Sequence, residues 1–138
     1  MHNKILVVDD SKSWLLFHTK IIKQLYGDLF EVVTAQSALE ALNIVKANGI
    51  ASYPVIITDL QMETNFEPLV AGEWLIQNLQ ALKNSSSSKI VIISSMYNIE
   101  DIAKKYKVDC VSKSRLAQNQ LLLKYLFEKL MPFLNNLI

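Results

Sequence analysis

Cysteine is nearly missing from this chain. The one present, Cys110, excludes an internal disulfide and fits a reducing compartment. Glycine is scarce as well: three occur, none in a glycine-rich run, which excludes the phosphate-cradling loop of a dinucleotide-binding domain. The two histidines, His2 and His18, sit in unrelated contexts, and no Cys/His spacing resembles a zinc site. No apolar run approaches the roughly 18 residues of a membrane span. The N-terminus lacks the basic, apolar, then small-residue order of a secretion signal. Charge of one sign is lacking too. Fourteen basic against 13 acidic residues give a net +1, so neither a basic face for nucleic acid nor an acidic disordered tail is indicated. With 138 residues, 51% of them apolar, the chain is sized for a single domain over residues 1–138 with a real core. A cytoplasmic location is expected.

What is present is one pattern used repeatedly: a short apolar, β-branched run that stops at polar side chains. Lys4 to Val8 runs into Asp9 and Asp10. Tyr53 to Thr58 runs into Asp59. Lys89 to Ile93 runs into Ser94 and Ser95, and Val108 to Ser112 into Lys113. Runs of this length and composition read as buried strands, and Phe30 to Ala35 reads as a further one. Helical spacing fills the intervals. Trp14, Phe17, Ile21 and Leu25 mark the inner face of a helix over about 12–25, widened by Leu15, Leu16 and Ile22 and stopped by Gly27. Trp14 is read as core. Ser37 and Glu40 form a capping box before Ala38, Ala41, Leu42 and Val45. Leu75, Leu79 and Leu82 define a helix over about 73–82, with Trp74 off its stripe. Ile99, Ile102, Ala103 and Tyr106 define a short helix after Asn98. The stretch from Gln61 to Ala71 is long for a strand-to-helix connection and reads equally as a functional loop or an insertion. Strict alternation of strands and helices predicts an α/β fold: a five-stranded, mainly parallel sheet with helices on both faces.

The last helix is read as running from near Ser114 to Pro132. Leu116, Leu123, Leu126, Phe127 and Leu130 point one way, and Leu121, Leu122 and Tyr125 another. A helix apolar over so much of its circumference is buried or meets a partner, a second copy included. The apolar tail after Pro132 either folds back on the domain or extends that interface.

In a parallel sheet, ligands gather beyond the carboxyl ends of the strands. Asp9, Asp10 and Asp59 meeting there would raise one another's pKa, and a divalent cation removes that conflict. Magnesium takes carboxylate oxygens, water and phosphate oxygens. Lys113 would neutralise an anion held near the acids, and Ser94 would bond its oxygen. Each residue has an ordinary alternative: the Asp9–Asp10 pair as a helix cap, Lys113 as a solvated lysine, Ser94 as a turn residue. Their order on four strand ends favours the joint reading.

Those residues, in Val7-Val8-Asp9-Asp10-Ser11, Ile57-Thr58-Asp59-Leu60-Gln61-Met62, Ile93-Ser94-Ser95 and Val111-Ser112-Lys113, resemble the receiver domain of two-component response regulators, chemotaxis-regulator-like, over residues 3–130. The resemblance implies a flavodoxin-like doubly wound sheet of strand order 2-1-3-4-5. It implies Asp59 as phosphoacceptor, and Mg2+ held by Asp10 directly, Asp9 through water and the Gln61 carbonyl. Lys113 would pair with the phosphoryl group, and Ser94 would be the switch hydroxyl. Leu60 and Ser95 flank the phosphoryl site, and Gly72 begins the third helix. It further implies a histidine kinase or phosphotransfer protein as donor, a downstream protein as target, no direct nucleic-acid or membrane contact, and no enzymatic activity beyond the domain's own phosphorylation and dephosphorylation.

Several positions depart from the family pattern. Ser114 stands where proline usually follows the lysine, Glu63 replaces the proline after Met62, and Cys110 replaces the switch aromatic. Ala71 replaces the acid before Gly72. The phosphorylation site is therefore expected to be intact and the output altered. A receiver-like scaffold that works without phosphorylation is the alternative. A haloacid-dehalogenase-type phosphohydrolase fits poorly, because its general acid/base position, two residues after the nucleophile, is Gln61.

Overall fold

The structure, a computed structural model, describes residues 3–62, 71–83 and 87–136. Most of the 61–71 loop, with Glu63 and Pro68, lies outside the described residues. So do Met1, His2, Asn84 to Ser86 at the start of the serine run, and the last two residues.

Five strands, β1 (Lys4–Val8), β2 (Glu31–Ala35), β3 (Val55–Thr58), β4 (Lys89–Ser94) and β5 (Asp109–Ser112), form one parallel sheet in the order β2-β1-β3-β4-β5. This is the doubly wound, flavodoxin-like arrangement expected. The helices between them are α1 (Lys12–Tyr26), α2 (Ala38–Asn48), α3 (Ala71–Lys83), α4 (Ile99–Tyr106), α5 (Lys113–Gln118) and α6 (Leu121–Leu130). None of these is long and apolar enough to cross a membrane.

The two-residue period of each strand sorts its side chains into two cores. Leu6, Val8, Ile56, Ile90 and Ile92 pack with α2, α3 and α4. Ile5, Val7, Val55, Ile57, Val91 and Ile93 pack with α1, α5 and α6. Both faces are thus covered, which is why the central strands carry unbroken apolar runs rather than an alternation. Local signals set the helix starts. Ser11 Oγ accepts from the Trp14 N–H at 3.3 Å, and Ser37 Oγ accepts from the Glu40 N–H at 3.1 Å. Gly27, at φ 59, lets the chain leave α1.

Four readings change. α3 starts two residues earlier than its apolar stripe indicates, at Ala71. Leu16, expected on the inner face of α1, is 70% exposed. The single last helix is two. α5 stops at Gln118 because Asn119 is extended, at φ −141, and its Oδ1 accepts from the Leu121 N–H; such a side chain competes with the helical ladder. Pro132 does end α6, and the chain beyond folds back. Met131 and Leu134 are buried in the core with Phe127, whereas Leu121, Tyr125 and Phe133 stay exposed. Leu122, read on the outer face, packs against that core.

Candidate functional site

The sheet register creates the site. Val8 lies opposite Thr58, so the next residues, Asp9 and Asp59, leave adjacent strands at the same level. The ladder continues one step, with the Asp59 N–H donating to the Val8 carbonyl at 3.0 Å. Asp9 and Asp59 are both nearly inaccessible, and Asp10 beside them is half-buried. The three carboxylates offer oxygens within 4.8 Å of one another.

Lys113, the first residue of α5, reaches into this cluster from β5. Its Nζ lies 2.8 Å from Asp9 Oδ2 and 2.8 Å from Asp59 Oδ2, and its side chain is only 9% exposed. Lys113 is therefore not the solvated lysine that the bland reading allowed. The remaining oxygens also have donors. Asp59 Oδ1 accepts from the Leu60 N–H at 2.7 Å and, more weakly, from the Gln61 N–H at 3.4 Å. Asp9 Oδ1 accepts from the Ser11 N–H at 2.9 Å. Burial is the largest influence on Asp9 and raises its pKa, against the Lys113 and Ser11 hydrogen bonds. Burial alone would lower the Lys113 pKa, but the Asp59 and Asp9 carboxylates together outweigh it and hold the ammonium above its usual range. Lys113 is thus a fixed positive charge in a poorly solvated place, where it counts for more than in water.

Gly72 braces the site from behind. Its N–H donates to the Leu60 carbonyl at 3.0 Å, and a Cβ there would fall on the Asp59 carbonyl oxygen and the Leu60 Cα. Ser94 ends β4, buried, one strand over from β3, and its Oγ accepts from the Met96 N–H at 3.3 Å. Ser95 and the Gln61 side chain are exposed.

Two groups beside the site escaped the sequence reading. Trp14 is half-buried, and its ring centroid is 5.0 Å from Lys113 Nζ. Its place one helical turn after Asp10 was the available signal, masked by a spacing that also fits core. His18 is fully buried on the next turn, 5.6 Å from the Trp14 ring, and its Nδ1 has no hydrogen-bond partner among the described residues. Burial, helped by the Lys113 charge and opposed by Asp59, lowers its pKa to about 4. The folded state thus holds His18 neutral, while the unfolded chain protonates it near pH 6.5. Its contribution to stability is complete above about pH 6.5 and is lost as pH falls from there through about 4. By linkage the loss reaches about 3 kcal/mol. Urea unfolding at stepped pH should show this fall in the wild type but a shallower one in His18→Phe; parallel curves would refute it.

The sequence matches the response regulator receiver domain over residues 5–124. The chain belongs to that family. Receiver domains interact with histidine kinases or phosphotransfer proteins and with downstream targets, and they bind Mg2+ at an acidic pocket. No curated protein sequence matches the chain significantly. Among solved structures, this receiver domain is similar to the phosphorylated cyanobacterial phytochrome response regulator RcpA, at a TM-score of 0.72 and 22% identity over 93% of each chain. It is similar to a receiver domain protein from Methanospirillum hungatei JF-1, at 0.67 and 22% over 94% of each chain. For the Vibrio cholerae chemotaxis protein CheY4 the values are 0.65 and 20%, over 82% of this chain and 88% of that one. At these identities the likeness is one of fold.

The acids of this receiver domain fit a hard divalent cation. Three carboxylates supply oxygen donors close enough to share one ion, at the strand ends where like charges otherwise repel.

One departure from the family pattern has a structural counterpart. Cys110, in place of the switch aromatic, is a half-buried free thiol packed against the α2–α4 side of the sheet. A tyrosine appears instead at the end of α4. The Tyr106 hydroxyl donates to Glu73 Oε1 at 2.8 Å and accepts from Gln77 Nε2 at 3.2 Å, and its backbone carbonyl accepts from Gln80 Nε2 at 2.7 Å.

Proposed function

We propose that this receiver domain, acting as one unit, accepts a phosphoryl group on Asp59 from a histidine kinase or phosphotransfer protein. The reaction depends on magnesium, and the domain signals by changing the surface it offers a downstream protein. The observation that carries this reading is the buried Lys113 ammonium shared by Asp59 and Asp9, with Asp10 in the same cluster.

In the transfer, a carboxylate oxygen of Asp59 bonds to phosphorus. The donor's bond to phosphorus breaks, nitrogen–phosphorus in a phosphohistidine or oxygen–phosphorus in an acyl phosphate. The electron pair leaves with the donor. Carboxylate is a weak nucleophile, so positioning and electrostatics supply most of the acceleration. The Leu60 and Gln61 N–H groups fix one Asp59 oxygen, and Lys113 sits on the other, where it can follow the charge onto the phosphoryl oxygens. Asp10 would hold the magnesium directly, Asp9 through water and Gln61 by its carbonyl. Bound there, the ion supplies positive charge against the transferring oxygens. Ser94, with Ser95 after it, would take a phosphoryl oxygen by its hydroxyl, exchanging its present bond from Met96. Leu121 and Tyr125, exposed on α6, support self-association as one form of output.

The test is intact mass after incubation with magnesium and acetyl phosphate. One phosphoryl adduct is expected in the wild type, and none in Asp59→Asn or with chelator. A wild type that stays unlabelled would overturn the reading in favour of a phosphorylation-independent scaffold.

A further inference from the structure

We infer that Trp14 is a positioning residue for phosphoryl transfer: its ring face holds the Lys113 ammonium in place while the carboxylate partners of that ammonium change. The inference rests on the reading of Asp59 as phosphoacceptor.

Lys113 Nζ meets Asp9 Oδ2, Asp59 Oδ2 and the face of the Trp14 ring, whose centroid is 5.0 Å away. That distance is inside the range of cation–π attraction, and tryptophan provides the strongest face for it. The two carboxylate contacts are the ones that transfer must redistribute. A phosphoryl group on Asp59 puts new oxygens between that residue and the lysine, and Asp9 is also needed for the cation. The ring contact asks for no particular hydrogen-bond direction, so it persists through both exchanges. A lysine stem has many rotamers, and a face that survives the exchange keeps them from opening.

The ring is itself fixed. Phe17 meets it edge-on at 4.8 Å, and His18 lies 5.6 Å away on the same helix. Its backbone N–H is tied to Ser11 Oγ, and the Ser11 N–H is tied to Asp9 Oδ1, whose other oxygen holds Lys113. The contacts close into a loop: Asp9 to Ser11, Ser11 to Trp14, Trp14 to Lys113, Lys113 back to Asp9. The helix cap that starts α1 therefore also sets the height of the ring under the ammonium. Neutral His18 adds no second cation behind the ring.

The experiment compares wild type, Trp14→Phe and Trp14→Leu in the full chain, with acetyl phosphate and magnesium. Trp14→Leu should slow labelling roughly fivefold to tenfold, with the loss in the rate at saturating donor rather than in the donor concentration required. Trp14→Phe, which keeps a ring, should recover most of it. NMR gives a readout that packing alone does not move: the Lys113 ε-methylene protons should be shifted upfield by the ring in the wild type and Trp14→Phe, and not in Trp14→Leu. Equal slowing in Phe and Leu, wild-type labelling by a folded Trp14→Leu, or no ring shift in the wild type would each overturn the inference. If Trp14→Leu does not fold, Trp14→Phe and the wild-type ring shift still decide. A wild type that never labels instead sinks the underlying reading of Asp59, an outcome distinct from all of these.

Discussion

Gly72→Ala is expected to destabilise the domain by about 3 kcal/mol or more, near the top of the range for overpacking. The added methyl has nowhere to go. Its near neighbours are the Asp59 carbonyl oxygen and the Leu60 Cα, both backbone atoms of the segment that carries the Asp59 carboxylate. A flexible side chain could swing aside, but these atoms are tied by the ladder bond from the Asp59 N–H to Val8 and by the bond from the Gly72 N–H to Leu60. Relief must come from sliding α3 away from β3, which opens the packing of Leu75, Ile76 and Leu79. For a domain of this size the expected fall in Tm is on the order of 10 °C. Gly27→Ala is the control. Open space surrounds it, so its cost, about 1–3 kcal/mol, comes from the backbone strain of φ 59 with ψ −126 and not from a clash. Thermal unfolding of both variants checks the pair, and a Gly72→Ala protein as stable as the wild type would contradict the account.

Lys113→Met should lower the rate of Asp59 labelling by roughly 100-fold or more, the scale seen when one preorganised charge-stabilising donor is removed. The substitution keeps the length of the stem and removes the ammonium. It should also destabilise the magnesium-free protein by about 3–5 kcal/mol, because two nearly inaccessible carboxylates lose their common cation. Adding magnesium should recover part of the stability but not the labelling rate, since the cation can offset repulsion among the acids without standing where the lysine stood. Urea unfolding with and without magnesium, beside intact-mass labelling, separates the two effects. A variant that labels within threefold of the wild type would remove Lys113 from the transfer.

Much of this was legible in the sequence, for identifiable reasons. Strands buried on both faces must be written as continuous apolar runs, so their ends stand out, and Asp9, Asp59, Ser94 and Lys113 are those ends. Parallel register then does the rest: once Val8 meets Thr58, the two aspartates must emerge side by side. Period alone could not separate core from site in α1. Trp14 falls on the apolar stripe, yet its place in the first turn brings it under Lys113, and Leu16, which looked equally internal, faces solvent. The break at Asn119 was hidden for a different reason. Leucines continue across it, and the signal is a single side chain turning back on the Leu121 N–H. The fold-back after Pro132 was one of two open readings, and burial of Met131 and Leu134 decides it.

The bonds around Tyr106 give α3 a second duty. One end of that helix abuts the Asp59 and Leu60 backbone through Gly72, while Glu73, Gln77 and Gln80 along its length grip the far end of α4. A stiff rod thus touches the Asp59 segment at its tip and a neighbouring helix along its flank. Were Asp59 phosphorylated as proposed, motion at one contact would load the other, and the lever between site and surface would be a helix rather than a swinging aromatic ring.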